Sequence, residues 1–292
     1  MKAVLFVGHG SREKEGNEQV VQMVRNIKNQ MSAEWIVETC FLELTDPNMD
    51  TGISRCLAQG ATSIAIIPMM IFAASHSKLH IPFAIDEARK KYPSVTFTYG
   101  RPIGVHKSMV EICEQRIEEG MDVTSVAKDD IGVVLLGRGC SDGGANSDLY
   151  KLARLLREKL SIKKMEPAFI AVTEPSLEES VTTLLILGAK KVIVLPYLLF
   201  TGVLMKRLEE QMVKLQTQLP QIQLTLASNL GFHPKLEKVF MERMDEAISD
   251  SVMMNCDTCR FRMEAAEHMA HHHDHDHHHH HKGHHLEEKV SQ

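Results

Sequence analysis

Near the amino terminus, the chain has the segment Val4-Leu5-Phe6-Val7-Gly8-His9-Gly10-Ser11-Arg12, around which the rest of the predicted fold is organised. Its apolar run predicts a buried β-strand that stops at Gly8, where a glycine-flanked turn presents His9. In an open parallel α/β sheet, ligands bind beyond the carboxyl ends of the strands. His9 is therefore predicted to lie where such a sheet usually carries its chemistry.

The composition is typical of a soluble globular protein. The chain has 292 residues, of which 43% are hydrophobic and 24% charged, and its formal net charge is −5. This charge gives no electrostatic support for binding to nucleic acid or to a membrane surface. The first apolar run is too short for a signal peptide, and no stretch of about 18 apolar residues predicts a membrane span. We therefore expect a cytoplasmic protein.

Short apolar runs alternate with helical patterns along the chain, which predicts an α/β fold with parallel sheets covered by helices on both faces. Asp46-Pro47 predicts a helix start, because a capping residue precedes proline at the first helical position. In the first half we predict strands at residues 3–7, 35–42, 63–68 and 95–99, and helices at residues 15–30, 46–59, 81–91 and 106–119.

The same order of elements recurs in the second half at a nearly constant offset. Residues 131–136, 169–175 and 192–196 match residues 3–7, 41–47 and 64–68. Such self-similarity indicates an internal duplication of one α/β unit. We predict a domain at residues 1–120, a linker at 121–130, a second domain at 131–250 and a tail at 251–292.

The duplication separates residues of the fold from candidates for chemistry. Residues shared by both halves are expected to serve the fold, whereas residues found in one half only are candidates for a site. Three such candidates follow predicted strands of the first half. The second half has Arg138, Ala171 and Leu204 at the positions that correspond to His9, Glu43 and His76.

His9, Glu43 and His76 together predict a metal site. The carboxyl ends of adjacent parallel strands meet at one edge of a sheet, so the three side chains are expected to lie in one cleft. Two imidazoles and a carboxylate suit a divalent transition metal better than Mg²⁺. Glu43 could instead act as a base. The alternative is that these are unrelated polar residues at strand ends.

Other signals are weaker. Neither Gly8-His9-Gly10 nor its counterpart at residues 137–139 continues as a dinucleotide fingerprint, so nucleotide binding is not expected. His80 could be a third or transfer ligand of the metal, although we expect it to lie beside His76 without binding the metal itself. His106 and His233 are expected to be structural. Several basic residues near the predicted cleft could bind a polyanionic substrate; they are Arg12, Lys14, Lys78, Arg101, Arg138, Lys206 and Arg207.

The composition changes beyond Asp250. Cys256 and Cys259 form a C-x-x-C motif, which can bind zinc, bind an iron–sulfur cluster or cycle as a dithiol. From His268 onward the chain is rich in histidine, cannot build a core, and is expected to be disordered without metal. A cloning tag is an alternative, although interspersed Asp, Lys and Gly residues argue against one. Imidazole clusters bind cobalt, nickel, copper and zinc ions.

These motifs together resemble the sirohydrochlorin cobaltochelatases of the CbiX type, in the long form with two fused chelatase-like halves. The resemblance covers about residues 1–250 and extends to the cysteine motif and histidine-rich tail. The segments that carry it are Gly8-His9-Gly10-Ser11-Arg12, Phe41-Leu42-Glu43, residues 68–82 with His76, and residues 195–202.

The resemblance implies a class II chelatase fold with four-stranded parallel sheets facing a cleft. It also implies insertion of Co²⁺ into sirohydrochlorin without ATP, on the way to cobalamin. His9 and His76 would bind the metal, with Glu43 nearby, and Cys256 and Cys259 would hold an iron–sulfur centre, whose missing ligands could come from a second subunit in a homodimer. The substrate's carboxylates would be bound by basic side chains, for which we select Arg12, Arg101, Arg138 and Lys206.

Two classes of alternative remain open. The same site could insert Fe²⁺ into sirohydrochlorin to give sirohaem, or Ni²⁺ into a related macrocycle. From another class, the chain could be a metal-storage or metal-delivery protein. Truncation before Met253 separates these classes, because an enzyme would keep its insertion activity.

Overall fold

Each half of the chain folds into a four-stranded parallel sheet with helices on both faces. The computed structural model describes residues 1–121 and 127–249. The first half contains β1 (Lys2–Gly8), α1 (Lys14–Lys28), β2 (Ile36–Phe41), α2 (Met49–Ala58), β3 (Ser63–Pro68), α3 (Ile81–Lys91), β4 (Thr96–Tyr99) and α4 (Lys107–Gly120). The second contains β5 (Ile131–Gly137), α5 (Gly143–Leu160), β6 (Lys164–Phe169), α6 (Leu177–Ile186), β7 (Lys191–Pro196), α7 (Val203–Gln218), β8 (Gln223–Leu226) and α8 (Pro234–Ile248).

The strand order places a ligand crevice at the end of β1. The first sheet has the order β2-β1-β3-β4, and Val7 pairs with Cys40 of β2 on one side and with Pro68 of β3 on the other. The chain thus changes direction across the sheet between β1 and β3, and such a switch point leaves a crevice outside the carboxyl ends of the two strands. The second sheet repeats the order as β6-β5-β7-β8.

The two halves share one hydrophobic core. Val4 and Phe6 of β1 lie in a cluster that also contains residues of β5, β7, α5 and α8, whereas Leu5 and Val7 belong to a separate cluster within the first half. The last helices are exchanged, since α8 packs against β3 and β4 of the first sheet and α4 packs against β7 of the second. Burial of this shared apolar surface fixes one half against the other.

The structure corrects the predicted start of α2. The helix begins at Met49, and its capping residue is Asn48, whose side chain accepts a hydrogen bond from Thr51 N. Pro47 lies in the preceding loop, where its carbonyl oxygen accepts a hydrogen bond of 2.8 Å from Phe41 N at the end of β2. This contact with the sheet outweighs the local capping signal at Asp46.

The structural role expected for two histidines is confirmed. His106 and His233 precede α4 and α8, and their Nδ1 atoms accept hydrogen bonds of 3.1 Å from Ser108 N and Lys235 N. Such caps satisfy backbone donors that a helix leaves unpaired at its start. Within the described residues, no helix is long and apolar enough to cross a membrane.

Candidate active site

The turn after β1 is packed against the loop after β2. Glu43 N donates a hydrogen bond of 3.1 Å to the His9 carbonyl oxygen. Gly10 has φ +93°, and a Cβ atom on it would lie 1.8 Å from the Glu43 carbonyl oxygen, so only glycine fits at this position. The close contact explains how the Gly-His-Gly sequence brings His9 and Glu43 together.

His76 reaches the same crevice from the segment after β3. It begins a π-helical turn, His76–His80, that leads directly into α3. Turns of this kind occur frequently at functional sites. The Nδ1 atom of His76 lies 2.8 Å from Nδ1 of His80, so His80 contacts the ring of His76 from the side away from His9.

Three side chains converge in this crevice. Nε2 of His9 lies 3.1 Å from Nε2 of His76 and 3.4 Å from Oε1 of Glu43. One ligand atom from each of the three lies within 4.8 Å of the others, and among residues 1–121 and 127–249 this is the one such group of potential metal ligands. Two imidazole nitrogens and a carboxylate oxygen could hold a divalent transition metal.

The surroundings of both imidazoles are compatible with a role as metal ligands. Nδ1 of His9 lies 3.1 Å from the Gly10 carbonyl oxygen, which can only accept, and a proton on Nδ1 would leave the lone pair of Nε2 facing the crevice. Burial lowers the pKa of His76 to about 4, helped by the nearby imidazoles of His9 and His80. His76 is therefore neutral at physiological pH, as metal binding requires.

The turn after β5 faces this group from the second half. Nη1 of Arg138 lies 3.3 Å from Nε2 of His9. The backbone around it repeats the first half, since Ala171 N donates a hydrogen bond of 3.0 Å to the Arg138 carbonyl oxygen. The crevice therefore carries two imidazoles and a carboxylate on one side and a guanidinium on the other.

Two asparagines that the sequence analysis missed hold these turns in place. The Asn17 side chain accepts a hydrogen bond from Ser11 N and donates one to the Ser11 carbonyl oxygen, at 2.9 and 2.8 Å. Asn146 makes the same pair of bonds with Cys140, at 3.1 and 2.7 Å. The signal was present in the sequence, because Asn17 and Asn146 occupy equivalent positions of the two halves.

The structure brings Arg138, alone among the four selected basic residues, into contact with His9. Arg12 is exposed at the end of the turn. Lys206 forms an ion pair of 2.7 Å with Glu13, and Arg101 binds both carboxylate oxygens of Glu246 on α8. These three remain predictions as substrate-binding residues.

The remaining candidates are Lys78, which lies beside the crevice, and the cysteine and histidine motifs at the carboxyl-terminal end of the chain. Lys78, two residues after His76, forms an ion pair of 2.5 Å with Asp142, so it bridges the two halves beside the crevice. Cys256 and Cys259, predicted to hold an iron–sulfur centre, lie outside the described residues, as does the histidine-rich tail.

Comparison with known proteins defines the class. The sequence model of the CbiX family matches residues 3–120 and 132–247. The crystal structure of the sirohydrochlorin chelatase SirB from Bacillus subtilis subspecies spizizenii, in complex with cobalt, has a TM-score of 0.71 and 33% identity over 85% of this chain and 96% of that one. The structure of SirB from Bacillus subtilis with Fe³⁺ has a TM-score of 0.74 and 34% identity, over 86% and 96%. The fold is thus that of a two-half chelatase, as predicted.

Sequence relatives agree with this class. A sirohydrochlorin cobaltochelatase of Priestia megaterium is 50% identical over 93% of this chain and 88% of its own length. A sirohydrochlorin ferrochelatase of the same organism is 39% identical, over 85% and 91%. The chain belongs to the CbiX family.

Proposed function

We propose that this protein inserts Co²⁺ into sirohydrochlorin without ATP, giving cobalt-sirohydrochlorin for cobalamin synthesis. The observation that carries the proposal is the convergence of His9, Glu43 and His76 at the switch point of the first sheet. The 50% identity with a cobaltochelatase supports the choice of metal and macrocycle.

The proposed reaction uses each of these groups in turn. His9 and His76 hold Co²⁺ and pass it to one face of the tetrapyrrole. The tetrapyrrole must lose two N–H protons, one from each of two of its ring nitrogens, when the divalent metal enters, so a base close to the metal speeds the exchange. Glu43 fills this role, because its carboxylate lies 3.4 Å from His9 and is about half exposed, which lets protons leave to solvent.

The substrate's carboxylates are bound by cations at the rim of the crevice. Arg138 is the first candidate, because its guanidinium lies 3.3 Å from Nε2 of His9, one of the proposed metal ligands. Guanidinium groups bind carboxylates in a bidentate manner. Arg12 and Lys206, which flank the turn and the start of α7, are further candidates, and Arg101 would first have to release Glu246.

The test is a metal-insertion assay followed by visible absorbance, with purified protein, sirohydrochlorin and Co²⁺ in the absence of ATP. We expect insertion by the wild type and its loss in His9→Ala and His76→Ala. His106→Asn is the matched control, since it alters a histidine outside the crevice and asparagine can still cap α4. Near-normal insertion by both alanine variants, folded as judged by circular dichroism, would refute the assignment.

Insertion of Fe²⁺ is the second candidate function. It is supported by the 39% identity with a ferrochelatase, and the ligand set suits Fe²⁺ as well as Co²⁺. Rates with Co²⁺, Fe²⁺ and Ni²⁺, measured separately under anaerobic conditions, decide between them. Truncation before Met253 tests the storage alternative, because we expect the shortened chain to keep insertion.

We also propose that Cys256 and Cys259 bind an iron–sulfur cluster. Two cysteines do not complete such a site, so further ligands are needed, and a second copy of the chain in a homodimer could supply them. Iron and acid-labile sulfide are measured in protein purified anaerobically. Their loss in Cys256→Ser and Cys259→Ser is the expected result, and equal content in wild type and variants would contradict it.

A further inference from the structure

Two exposed apolar residues beside the crevice have an unusual backbone conformation. Leu44 has φ +67° and is 52% exposed, and its counterpart Val172 has φ +69° and is 72% exposed. Among the described residues, Ser161 is the one other non-glycine residue with positive φ, and it ends α5. Helix termination therefore explains Ser161 but neither Leu44 nor Val172.

This conformation raises the free energy of the folded chain, and packing does not offset the increase. Positive φ is unfavourable for any residue with a Cβ atom and most of all for a β-branched one such as Val172. Thr173 N donates a hydrogen bond of 2.8 Å to the Ala171 carbonyl oxygen, which closes a strained three-residue turn around Val172. Glycine or asparagine would suit both positions better, and an exposed leucine or valine gains little from burial there. Such strain is retained mainly at functional sites.

Both residues lie directly beside loops that are bonded to the turns after β1 and β5, which carry His9 and Arg138. Leu44 follows Glu43, whose backbone N–H is bonded to the His9 carbonyl oxygen. Val172 follows Ala171, whose backbone N–H is bonded in the same way to Arg138. One exposed apolar side chain from each half is thus held next to the residues that meet across the crevice.

The surroundings of Val172 are suited to an amphiphilic ligand. Val172 lines a cavity of about 370 Å³ together with Arg207 and Lys214 of α7, and the carboxylates of Glu174 and Glu178 also lie in its wall. A ligand with a flat apolar face and carboxylates at its edge would find an apolar contact and cations in the same place. Sirohydrochlorin, the substrate of the proposed function, has this chemistry.

We propose that Leu44 and Val172 are substrate-positioning residues that contact the apolar ring of the tetrapyrrole, one from each half. This inference rests on the proposed function. Both side chains are already exposed in this backbone conformation before the substrate arrives, so binding does not have to order them. Exposed apolar surface that is removed from water on binding then contributes directly to affinity.

The test is a titration in which sirohydrochlorin is added to metal-free protein in the presence of a chelator. Binding is measured from the fluorescence of sirohydrochlorin. We use Leu44→Asn, Val172→Asn and the double variant, because asparagine accepts positive φ and removes the apolar surface. We expect each single change to weaken binding by about fivefold to tenfold, and the double variant by more. The melting temperature should stay equal or rise, and the affinity for Co²⁺ should not change. Ile186→Asn, at an equally exposed residue that ends α6, is the control and should bind as the wild type does.

The outcomes separate this inference from the proposed function. Wild-type affinity in the double variant would overturn the inference and leave the function standing. Weaker binding together with a lower melting temperature or weaker Co²⁺ binding would also overturn it, because the residues would then shape the loops. Failure of the wild type itself to bind sirohydrochlorin would overturn the proposed function.

Discussion

The guanidinium of Arg138 lies 3.3 Å from Nε2 of His9, the residue that it replaces in the second half. The duplication has thus placed two equivalent turns opposite each other, one with a candidate metal ligand and the other with a cation. A fixed positive charge at this distance opposes a metal cation and attracts a carboxylate. In the proposed function, this contact would bring a carboxylate of the macrocycle next to the metal.

Replacing Arg138 with glutamine should separate these two effects. We expect Arg138→Gln to bind Co²⁺ about tenfold more tightly, because a charge next to the metal position is removed, and to bind sirohydrochlorin more weakly. Isothermal titration with Co²⁺ and fluorescence titration with sirohydrochlorin measure the two affinities. Arg12→Gln, at an exposed arginine, is the control for net charge. Unchanged Co²⁺ affinity in Arg138→Gln would show that the guanidinium does not act on the metal.

The lowered pKa of His76 predicts how the stability of the metal-free protein changes with pH. Burial keeps the pKa of His76 at about 4 in the folded chain, below its ordinary value of 6.5. Between these values the unfolded chain binds more protons, so the free energy of unfolding decreases as the pH falls. Denaturant unfolding at pH 4.5 and pH 7 should show a smaller decrease for His76→Gln than for the wild type. Equal decreases would mean that His76 does not contribute.

Glu43→Gln tests the carboxylate as a base. Glutamine preserves the size of the side chain but cannot accept a proton from a pyrrole nitrogen. We expect a fall in kcat of about 100-fold, consistent with loss of a general base, and an unchanged melting temperature, because Glu43 is about half exposed. Single-turnover insertion with enzyme preloaded with Co²⁺ separates proton transfer from metal binding. A normal rate in that assay would assign Glu43 to metal binding alone.

Gly10→Ala should destroy the turn that presents His9. Its Cβ atom would meet the Glu43 carbonyl oxygen in addition to the cost of positive φ. Gly60 also has positive φ, but nothing lies within 4 Å of an added Cβ atom. Gly60→Ala should therefore cost only about 1 to 2 kcal/mol of unfolding free energy. Urea unfolding should show a clearly larger loss for Gly10→Ala, and equal losses would contradict the close contact.

The ion pair between Lys78 and Asp142 should contribute little by itself. Both side chains are partly exposed, so we expect Lys78→Met to lower the unfolding free energy by less than about 1 kcal/mol. Asp142→Ala should cost more, about 1 to 2 kcal/mol, because Asp142 also caps α5. A double-mutant cycle isolates the pair. A coupling energy well above 1 kcal/mol would show that the pair holds the halves together.

Local sequence patterns determined most of the secondary structure and pointed to the group of potential metal ligands. Apolar runs predicted β3 and α3 with the bounds that the structure has. A strand buried on both faces is a continuous apolar run, and a helix buried on one face repeats its apolar residues at helical spacing. Comparison of the two halves singled out His9, Glu43 and His76. Each follows a strand of the first half, and the corresponding position of the second half carries a different type of residue. At Asp46-Pro47 the prediction was wrong, because a hydrogen bond from Phe41 N at the end of β2 to the Pro47 carbonyl oxygen outweighs the capping signal of the two residues.

The tertiary structure alone decided what depends on residues far apart in the chain. Burial and neighbouring charges set the pKa of His76, and the approach of two equivalent turns placed Arg138 against His9. The exchange of α4 and α8 between the halves and the strained exposure of Leu44 and Val172 were equally invisible in the sequence. Periodicity and turn chemistry act over a few residues, so they specify the elements. The distances and electric fields of the site arise only when the packing of the two halves brings those elements together.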